Sequence, residues 1–191
     1  MGKIVVSQFV SVDGVIEDPG GSEDFEHGGW SFEISRGDEG DRFKLDETME
    51  SDALLLGRVT YEGFADAWPS REGEFADKFN NSTKYVVSST LTDPESVWSN
   101  SQVVGLDEVA ELRSREGGDI VVHGSGTLAR ALLERGLVDE LRLMVFPVVL
   151  GSGRRLLDET PSPQRLRLVE SRPVGPDGVV ILIYGPAGDD A

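Results

Sequence analysis

Alternating apolar and polar side chains open the chain and predict a first β-strand over Ile4–Val10. The even-numbered residues from Ile4 to Gln8 should face one side of a sheet. The odd-numbered residues from Val5 to Phe9 should face the other, because successive side chains of a strand point in opposite directions. The β-branched content of the segment supports the same interpretation.

Continuous apolar runs predict strands buried on both faces, most clearly at Ala53–Leu56. Apolar residues at helical spacing predict helices between such runs. The predicted strands lie at 84–88, 98–104, 119–123, 140–149, 165–170 and 179–184, and the predicted helices at 41–50, 60–69, 72–80, 107–115 and 127–135. Asp107 is the expected N-cap of the helix at 107–115, and Gly136 is placed to end the helix at 127–135.

This order of elements predicts an α/β fold with a central, mostly parallel sheet. The last two strands are separated by a Pro- and Gly-rich turn and predict an antiparallel hairpin at the C-terminal edge. A length of 191 residues suits one domain, and no repeat or linker divides the chain. We therefore expect a single domain over residues 1–185 and a disordered tail over residues 186–191.

The first predicted helix follows a long polar segment. Residues 17–42 contain six glycines and nine acidic residues, which is typical of a loop rather than a core element. Trp30, Phe32 and Ile34 alternate within it and predict a short strand in a lid. In the helix that follows, the expected inward-facing side chains are those of Phe43, Leu45 and Met49.

Composition narrows the possible functions. Asp and Glu number 35 against 18 Lys and Arg, a formal charge of −17, which argues against non-specific nucleic-acid binding and against docking on an anionic membrane. The chain has no cysteine, so disulfides and thiolate sites are excluded. Without a long apolar stretch, a cytoplasmic protein is expected. An anionic small ligand stays possible, because a few local cations and backbone N–H groups can hold one.

Three predicted strands end in turns rich in Gly or Ser. Gly57, Arg58 and Thr60 follow the first, Ser88 and Ser89 the second, and Gly124, Ser125, Gly126 and Thr127 the third. Ligands of open α/β sheets bind beyond the carboxyl ends of the strands, where helix N-termini stabilise anions. The alternative is structural: Thr60 as an N-cap, Arg58 solvated, and the serines in an ordinary loop.

The two histidines do not indicate hydrolytic or metal chemistry. His123 precedes Gly124-Ser125-Gly126 but lacks the first glycine of a nucleophile elbow, so we expect a strand-end residue rather than a general base. His27 lies in an acidic loop segment that is more typical of solvated surface than of a ligand set. No metal site is predicted.

Five segments together resemble a known family. They are Ser11-Val12-Asp13-Gly14, LLLGRVTYE, VVSST, HGSG and FPVVLGSGRRLL, in this order over about residues 3–185. The chain resembles the dihydrofolate-reductase-like fold, and within it the C-terminal reductase domain of the bifunctional riboflavin-biosynthesis deaminase/reductase. The resemblance implies an NADPH-dependent reductase.

It also implies roles for particular residues. The nine residues of the three turns would bind NADPH, and Ser11, Gly14, Trp30, Leu150, Gly151 and Gly153 would border the nicotinamide and the substrate. Residues 20–36 would form a mobile lid. The proton would come from Asp13 or an ordered water, although Asp13-Gly14 is equally a strong turn pair.

The substrate class stays open between several expectations. The first is a small heterocycle of the 5-amino-6-(5-phosphoribosylamino)uracil type, whose phosphate would need cations. The available cations are Arg36, Arg42, Arg71, Arg154 and Arg155. A pterin- or folate-like substrate would instead need a carboxylate on the first long helix, and the residues there do not single one out among Asp41, Asp46, Glu47 and Glu50.

A third expectation is a non-catalytic nucleotide-binding homodimer. Dimerisation is expected in any case through the last three strands, because an uncovered apolar sheet edge is a liability. The apolar residues expected to supply that interface are Val145, Val148, Ile181 and Ile183.

Overall fold

The computed structural model describes residues 2–114, 117–158 and 162–188. Its strands are β1 Ile4–Ser11, β2 Ser51–Gly57, β3 Thr83–Val87, β4 Ser101–Val104, β5 Asp119–His123, β6 Glu140–Phe146, β7 Leu166–Val174 and β8 Val179–Pro186. Its α-helices are α1 Gly37–Glu50, α2 Arg58–Ala67, α3 Glu74–Asn81, α4 Val109–Ser114 and α5 Gly126–Glu134.

The strands form one eight-stranded sheet in the order β4-β3-β2-β5-β1-β6-β8-β7. The first six strands in this order pair in parallel. β8 runs antiparallel to β6, and β7 runs antiparallel to β8. The predicted α/β class, with a mostly parallel sheet and an antiparallel C-terminal hairpin, is confirmed.

Helices cover both faces of the sheet, as the alternation in β1 predicts. Ile4 and Val6 belong to an apolar cluster with residues of α4 and α5. Ser7 and Phe9 point to the other face, where Lys44 of α1 contacts both of them. α2 and α3 cover the same side through Tyr61 and Phe79, which pack on β2 and β3. The sheet is therefore the middle of three layers.

The inward face of α1 differs from the prediction. Its buried residues are Gly40, Lys44, Glu47 and Thr48, whereas Met49 is 40% exposed and Phe43 and Leu45 are half-buried. The apolar spacing was misleading because charged groups can be buried when they are paired. Their partners lie on distant strands, as described below.

Other elements depart from the prediction at their ends. Asp107 is not an N-cap: a 3₁₀ turn at Leu106–Glu108 precedes α4, Gly105 takes the cap position, and Asp107 pairs with Arg135. β6 stops before Pro147, and residues 30–34 form turns rather than a strand.

The C-terminal strand continues further than expected. β8 reaches Pro186, and the Ala187 N–H donates to the Arg165 carbonyl, so ordered structure extends into the segment predicted as a tail. Residues 189–191 of that predicted tail lie outside the described residues. Among the helices that the structure describes, none is long and apolar enough to cross a membrane.

Candidate active site

The glycine-rich turns after β2 and β5 are locked together by side-chain hydrogen bonds. The Ser125 hydroxyl accepts from the Gly57 N–H at 3.0 Å and donates to the His123 carbonyl at 3.1 Å. The Ser125 N–H donates to the Thr60 hydroxyl at 2.9 Å. Gly57, Thr60, Gly124 and Ser125 therefore meet, as the shared carboxyl edge of parallel strands requires.

The two helices that leave these turns begin without side-chain caps. α2 follows Gly57, which has no side chain to cap the helix, and α5 follows Ser125, whose hydroxyl does not bond to the first turn. Backbone N–H groups and the helix dipole at such an end stabilise an anion. The close approach also needs glycine at position 124, whose φ is +55° and where a Cβ would lie 3.1 Å from the Thr60 methyl group.

Other residues expected at the cofactor lie at the same edge of the sheet, and two of them, Ser88 and Arg58, bind neighbouring residues of their own segments. The Ser88 hydroxyl accepts from the N–H groups of Thr90 and Leu91, which is a loop-closing role. Ser89 and Thr127 are exposed. Arg58 is half-exposed, and one of its Nη atoms binds both carboxylate oxygens of Glu62, at 3.0 and 2.8 Å.

Asp13 fastens two loops to each other. Its carboxylate accepts from the Ser11 hydroxyl at 2.7 Å, the Leu150 N–H at 3.1 Å and the Gly151 N–H at 2.9 Å. A backbone hydrogen bond also connects the two loops, because the Leu156 N–H donates to the Gly14 carbonyl. The two segments expected at the substrate end, around Ser11–Gly14 and Leu150–Gly153, are thus brought together, and Gly153 takes a φ of +104° there.

These bonds disfavour Asp13 as the proton donor. The Ser11 hydroxyl, together with the N–H groups of Gly151 and Leu150, stabilises the charged carboxylate and lowers the pKa of Asp13 from 3.8 to about 2. A group this acidic holds no proton at neutral pH. The structural alternative, a turn residue beside Gly14, fits better, because the Gly14 N–H closes a turn onto the Ser11 carbonyl at 3.0 Å.

Trp30 is buried in this structure and does not lie on the surface of its loop. It is 3% exposed, packs edge-on against Phe146 with ring centroids 5.4 Å apart, and donates its indole N–H to the Glu17 carbonyl at 2.8 Å. Its neighbour Phe32 is 76% exposed. In this structure an apolar cluster on β6, β7 and β8 buries the indole, and the mobile lid over residues 20–36 stays a prediction.

A cleft of about 400 Å³ opens between α1 and α3. It is lined by Arg36, Asp38, Asp41, Arg42, Lys44, Leu45 and Phe75. Lys44 in this cleft donates to Ser7 of β1, whereas the next residue, Gln8, points to the other face of the sheet and donates to the Gly124 carbonyl.

One residue that lines the cleft, Lys44, belongs to a buried ion network. The Lys44 ammonium donates to the Ser7 hydroxyl at 2.6 Å and to one Glu47 carboxylate oxygen at 2.5 Å. The other Glu47 oxygen pairs with Arg142 at 3.3 Å, and Arg142 pairs with Glu140 at 2.7 Å. Sequence reasoning missed this network, although the three-residue spacing of Lys44 and Glu47 on one helix was a usable signal.

The charges in this network are fixed by their neighbours. Burial by itself would raise the pKa of Glu47, but the Lys44 charge and the hydrogen bonds from Lys44 and Ser7 together outweigh it, and the pKa falls to about 2. Burial, followed by the Lys44 charge, lowers the pKa of His123 to about 3. His123 stacks near Phe79 with ring centroids 5.4 Å apart, so it is a neutral strand-end residue and not a general base, in line with the prediction.

Comparison with known proteins identifies the family. The sequence profile described as the RibD C-terminal domain matches residues 2–180. YyaP of Bacillus subtilis (strain 168), an uncharacterized protein, is 29% identical over 189 residues, which cover 95% of this chain and 94% of YyaP.

Solved structures share the fold. A putative riboflavin biosynthesis protein from Shewanella sp. PV-4 superposes with a TM-score of 0.77 at 22% identity, covering 97% of this chain and 99% of that one. Dihydrofolate reductase from Enterococcus faecalis, complexed with NADP(H), superposes with a TM-score of 0.62 at 16% identity, covering 97% and 96%. These likenesses confirm the dihydrofolate-reductase-like fold.

Proposed function

The chain belongs to the RibD C-terminal domain family of NAD(P)H-dependent reductases, and we propose that it reduces a small heterocyclic substrate with NADPH. The substrate proposed is of the 5-amino-6-(5-phosphoribosylamino)uracil type. The matched profile covers residues 2–180, and the Shewanella structure is described as a putative riboflavin biosynthesis protein. Both support a substrate of riboflavin biosynthesis over an unrelated one.

One observation carries the cofactor part of this proposal. Two uncapped helix N-termini and a left-handed glycine turn meet through Ser125, and Gly126 lies against the side chain of Ile16, three residues after Asp13. This arrangement fits a dinucleotide, because N–H groups from two turns can bind its phosphates where no side chain obstructs them. Arg58 lies at the start of α2 and is suited to a 2′-phosphate.

The cleft supports an anionic substrate even though the chain is acidic. Arg36 is held by Asp41 at 2.6 Å, but Arg42 makes no ion pair with any residue that the structure describes. An unpaired guanidinium in a cleft matches the geometry of a phosphate. We propose that Arg42 receives the substrate phosphate, with Arg36 beside it.

The reaction would need the C1′–O4′ bond of the ribosylamine to open to an imine, with the amine proton passing to O4′. A hydride would then add to C1′ and a proton to the imine nitrogen. NADPH, when bound, supplies the hydride. The residues of this chain would align the reactants and exclude water, and the Asp13 anchor would hold the loop at Leu150 and Gly151 over the reacting atoms. Because Asp13 is ionised, the proton would come from an ordered water or from another group in the cleft.

A spectrophotometric assay of NADPH oxidation tests the proposal. The aminouracil phosphate and 7,8-dihydrofolate are supplied separately at saturating NADPH. Steady oxidation with the aminouracil is expected, and oxidation with dihydrofolate alone would contradict the substrate assignment. NADPH binding without oxidation of either substrate would favour the non-catalytic nucleotide-binding alternative.

A further inference from the structure

The paired register between β2 and β5 stops short of the carboxyl edge of the sheet. It ends at Leu54 and Val121, although β2 continues to Gly57 and β5 to His123. On their other sides, β2 stays in register with β3 and β5 stays in register with β1 up to those last residues. A seam therefore opens between β2 and β5, beside the two glycine-rich turns.

The Ser125 side chain crosses this seam. Its hydroxyl accepts from the Gly57 N–H at 3.0 Å and donates to the His123 carbonyl at 3.1 Å, so one oxygen atom binds the last residue of each strand. The Ser125 N–H donates to the Thr60 hydroxyl at 2.9 Å, which adds a bond to the first turn of α2. The distance between the N-termini of α2 and α5 is thus set by a side chain where the backbone ladder no longer sets it.

Serine is an unfavourable residue for the backbone of this turn. Ser125 has a φ of +53° and a ψ of +44°, which is the left-handed region. A residue with a Cβ atom is strained there, whereas glycine adopts this conformation freely. Strain of this kind persists where the surrounding structure requires it, often at functional sites. A serine at this position therefore indicates that its hydroxyl contributes more than its conformation costs.

The hydroxyl of Ser125 has little capacity left for a ligand. A serine hydroxyl carries one proton, and that of Ser125 is donated to the His123 carbonyl. A phosphate is an acceptor, so Ser125 could donate to it only by releasing that carbonyl. The N–H groups of Gly126 and Thr127, in contrast, belong to the first turn of α5 and have no acceptor within the helix. Ser125 is better placed to hold the phosphate-binding turns than to bind a phosphate.

We propose that Ser125 is a positioning residue that sets the width of the β2–β5 seam, so that the N–H groups of α2 and α5 converge on the phosphates that NADPH and NADH share. This inference rests on the proposed function and deepens it, because it assigns affinity for both dinucleotides to a side chain that does not contact them. The expected effect differs from that of Arg58, which would face only the 2′-phosphate. Loss of the Ser125 hydroxyl should weaken both cofactors by the same factor.

Two variants at position 125 separate the hydroxyl from the backbone strain. Ser125→Gly removes the hydroxyl and relieves the strain, since glycine adopts the left-handed region freely. Ser125→Ala removes the hydroxyl and keeps the strained Cβ atom. Both variants lose the bridge and should lose the same affinity, whereas Ser125→Gly should be the more stable of the two in denaturant. If the role of Ser125 were only structural, affinity would follow stability.

Ser51→Ala is the matched control. Ser51 lies at the opposite end of β2, is 1% exposed and donates its hydroxyl to the Thr48 carbonyl at 2.8 Å. This variant should be less stable than the wild type and bind both cofactors equally well. Thr60→Val removes the other hydroxyl of the joint. Combined with Ser125→Gly, it should weaken binding by less than the product of the two single factors, because both act on one joint.

The measurement is a calorimetric titration of each full-length variant with NADPH and with NADH, alongside denaturant unfolding. We expect both variants at position 125 to weaken the two cofactors about 10-fold or more, the size of one lost charge-assisted hydrogen bond. If the wild type binds NADPH and Ser125→Gly binds it equally well, the inference alone is overturned. A loss confined to NADPH, or an equal loss in Ser51→Ala, would also overturn it. A wild type that binds neither cofactor would refute the proposed function, and the inference with it.

Discussion

At the scale of single residues, the acceptor role of Asp13 has a consequence for acid stability. Its folded pKa of about 2 lies below the value of 3.8 that it would have in the unfolded chain. Such a carboxylate stabilises the folded state above its unfolded pKa, and this contribution disappears as the pH falls toward the folded pKa. The loop join at Leu150 and Gly151 should therefore weaken in acid.

Asp13→Asn should remove that pH dependence. We expect the variant to be less stable than the wild type at neutral pH, because the amide binds N–H groups less strongly than a carboxylate does. The difference in free energy of unfolding should shrink between about pH 4 and pH 2. Denaturant titrations over that range measure it, and a difference that does not vary with pH would contradict the anchoring role.

Arg58 offers a second residue-scale prediction, on cofactor choice. NADPH and NADH differ by the 2′-phosphate, and a charge-assisted hydrogen bond to it contributes about 1.5–3 kcal/mol, or roughly 10- to 150-fold in affinity. The competing ion pair with Glu62 is half-exposed and should offset only about 0.2–1 kcal/mol of this. Arg58→Ala should weaken NADPH binding by roughly tenfold or more and leave NADH binding nearly unchanged.

Calorimetry with both cofactors checks this expectation. Glu62→Gln is the matched control, because it removes the competing carboxylate and should tighten NADPH binding. The NADPH preference should also shrink as salt rises, since the site is exposed. Equal losses for the two cofactors in Arg58→Ala would show that Arg58 is only a solvated residue at the start of the helix.

At the scale of elements, Lys84 ties the end of α3 to the loop before β4. Its ammonium binds carbonyls from both segments and lies 4.3 Å from the Trp98 ring centroid. Lys84→Met keeps the length of the side chain but leaves three carbonyls, at least one of them buried, without this donor. We expect a loss of at least about 2 kcal/mol in the free energy of unfolding.

Lys78 supplies the control, because it lies in the last turn of the same helix and no side-chain partner is described for it. Lys78→Met should change stability by less than about 0.5 kcal/mol. Thermal or denaturant unfolding compares the two variants. Similar small changes in both would mean that the carbonyls find other partners.

Elements with local signals were predictable from the sequence, and elements defined by distant partners were not. The continuous apolar run at Ala53–Leu56 predicts a buried strand, and the glycine at position 124 predicts a tight turn. Neither prediction depends on another part of the chain. The inward face of α1 cannot be predicted from its own residues, because Lys44 can be buried only when Ser7 and Glu47 are beside it. The partner that completes this network, Arg142, is 95 residues from Glu47 along the chain.

The burial of Trp30 was not predictable from its own segment. A tryptophan in a Gly-rich acidic segment predicts a surface loop, but the sequence does not show that β6 and β8 leave an apolar surface large enough to bury it. Only the assembled sheet, with Phe146 and Ile181 facing the same side, makes that site. Long-range packing decided the position of this residue against its local context.

At the scale of the whole molecule, the homodimer stays a prediction, but its expected interface changes. Ile181 and Ile183 are buried inside the chain and cannot supply it. The edge strand β7 instead exposes Leu166, Leu168 and Val169, at 38%, 49% and 53%. An apolar edge strand of this kind favours pairing with a second copy.

Sedimentation tests the dimer directly. We expect a species of twice the 20.7 kDa chain mass at tens of micromolar. Leu168→Glu should dissociate it, whereas Val97→Glu, at an equally exposed valine in the loop before β4, should not. A single species near 20.7 kDa in the wild type would rule this interface out.

The central claim, a hydride transfer from NADPH to a heterocyclic substrate, is tested most directly by isotope transfer. The protein is incubated with the aminouracil phosphate and NADPH carrying deuterium at the transferable position of nicotinamide C4, and the product is analysed by mass spectrometry. We expect one deuterium in the product, at the reduced carbon C1′, and none there when unlabelled NADPH is used in heavy water. NADPH that binds but passes no deuterium to this substrate or to dihydrofolate would contradict it.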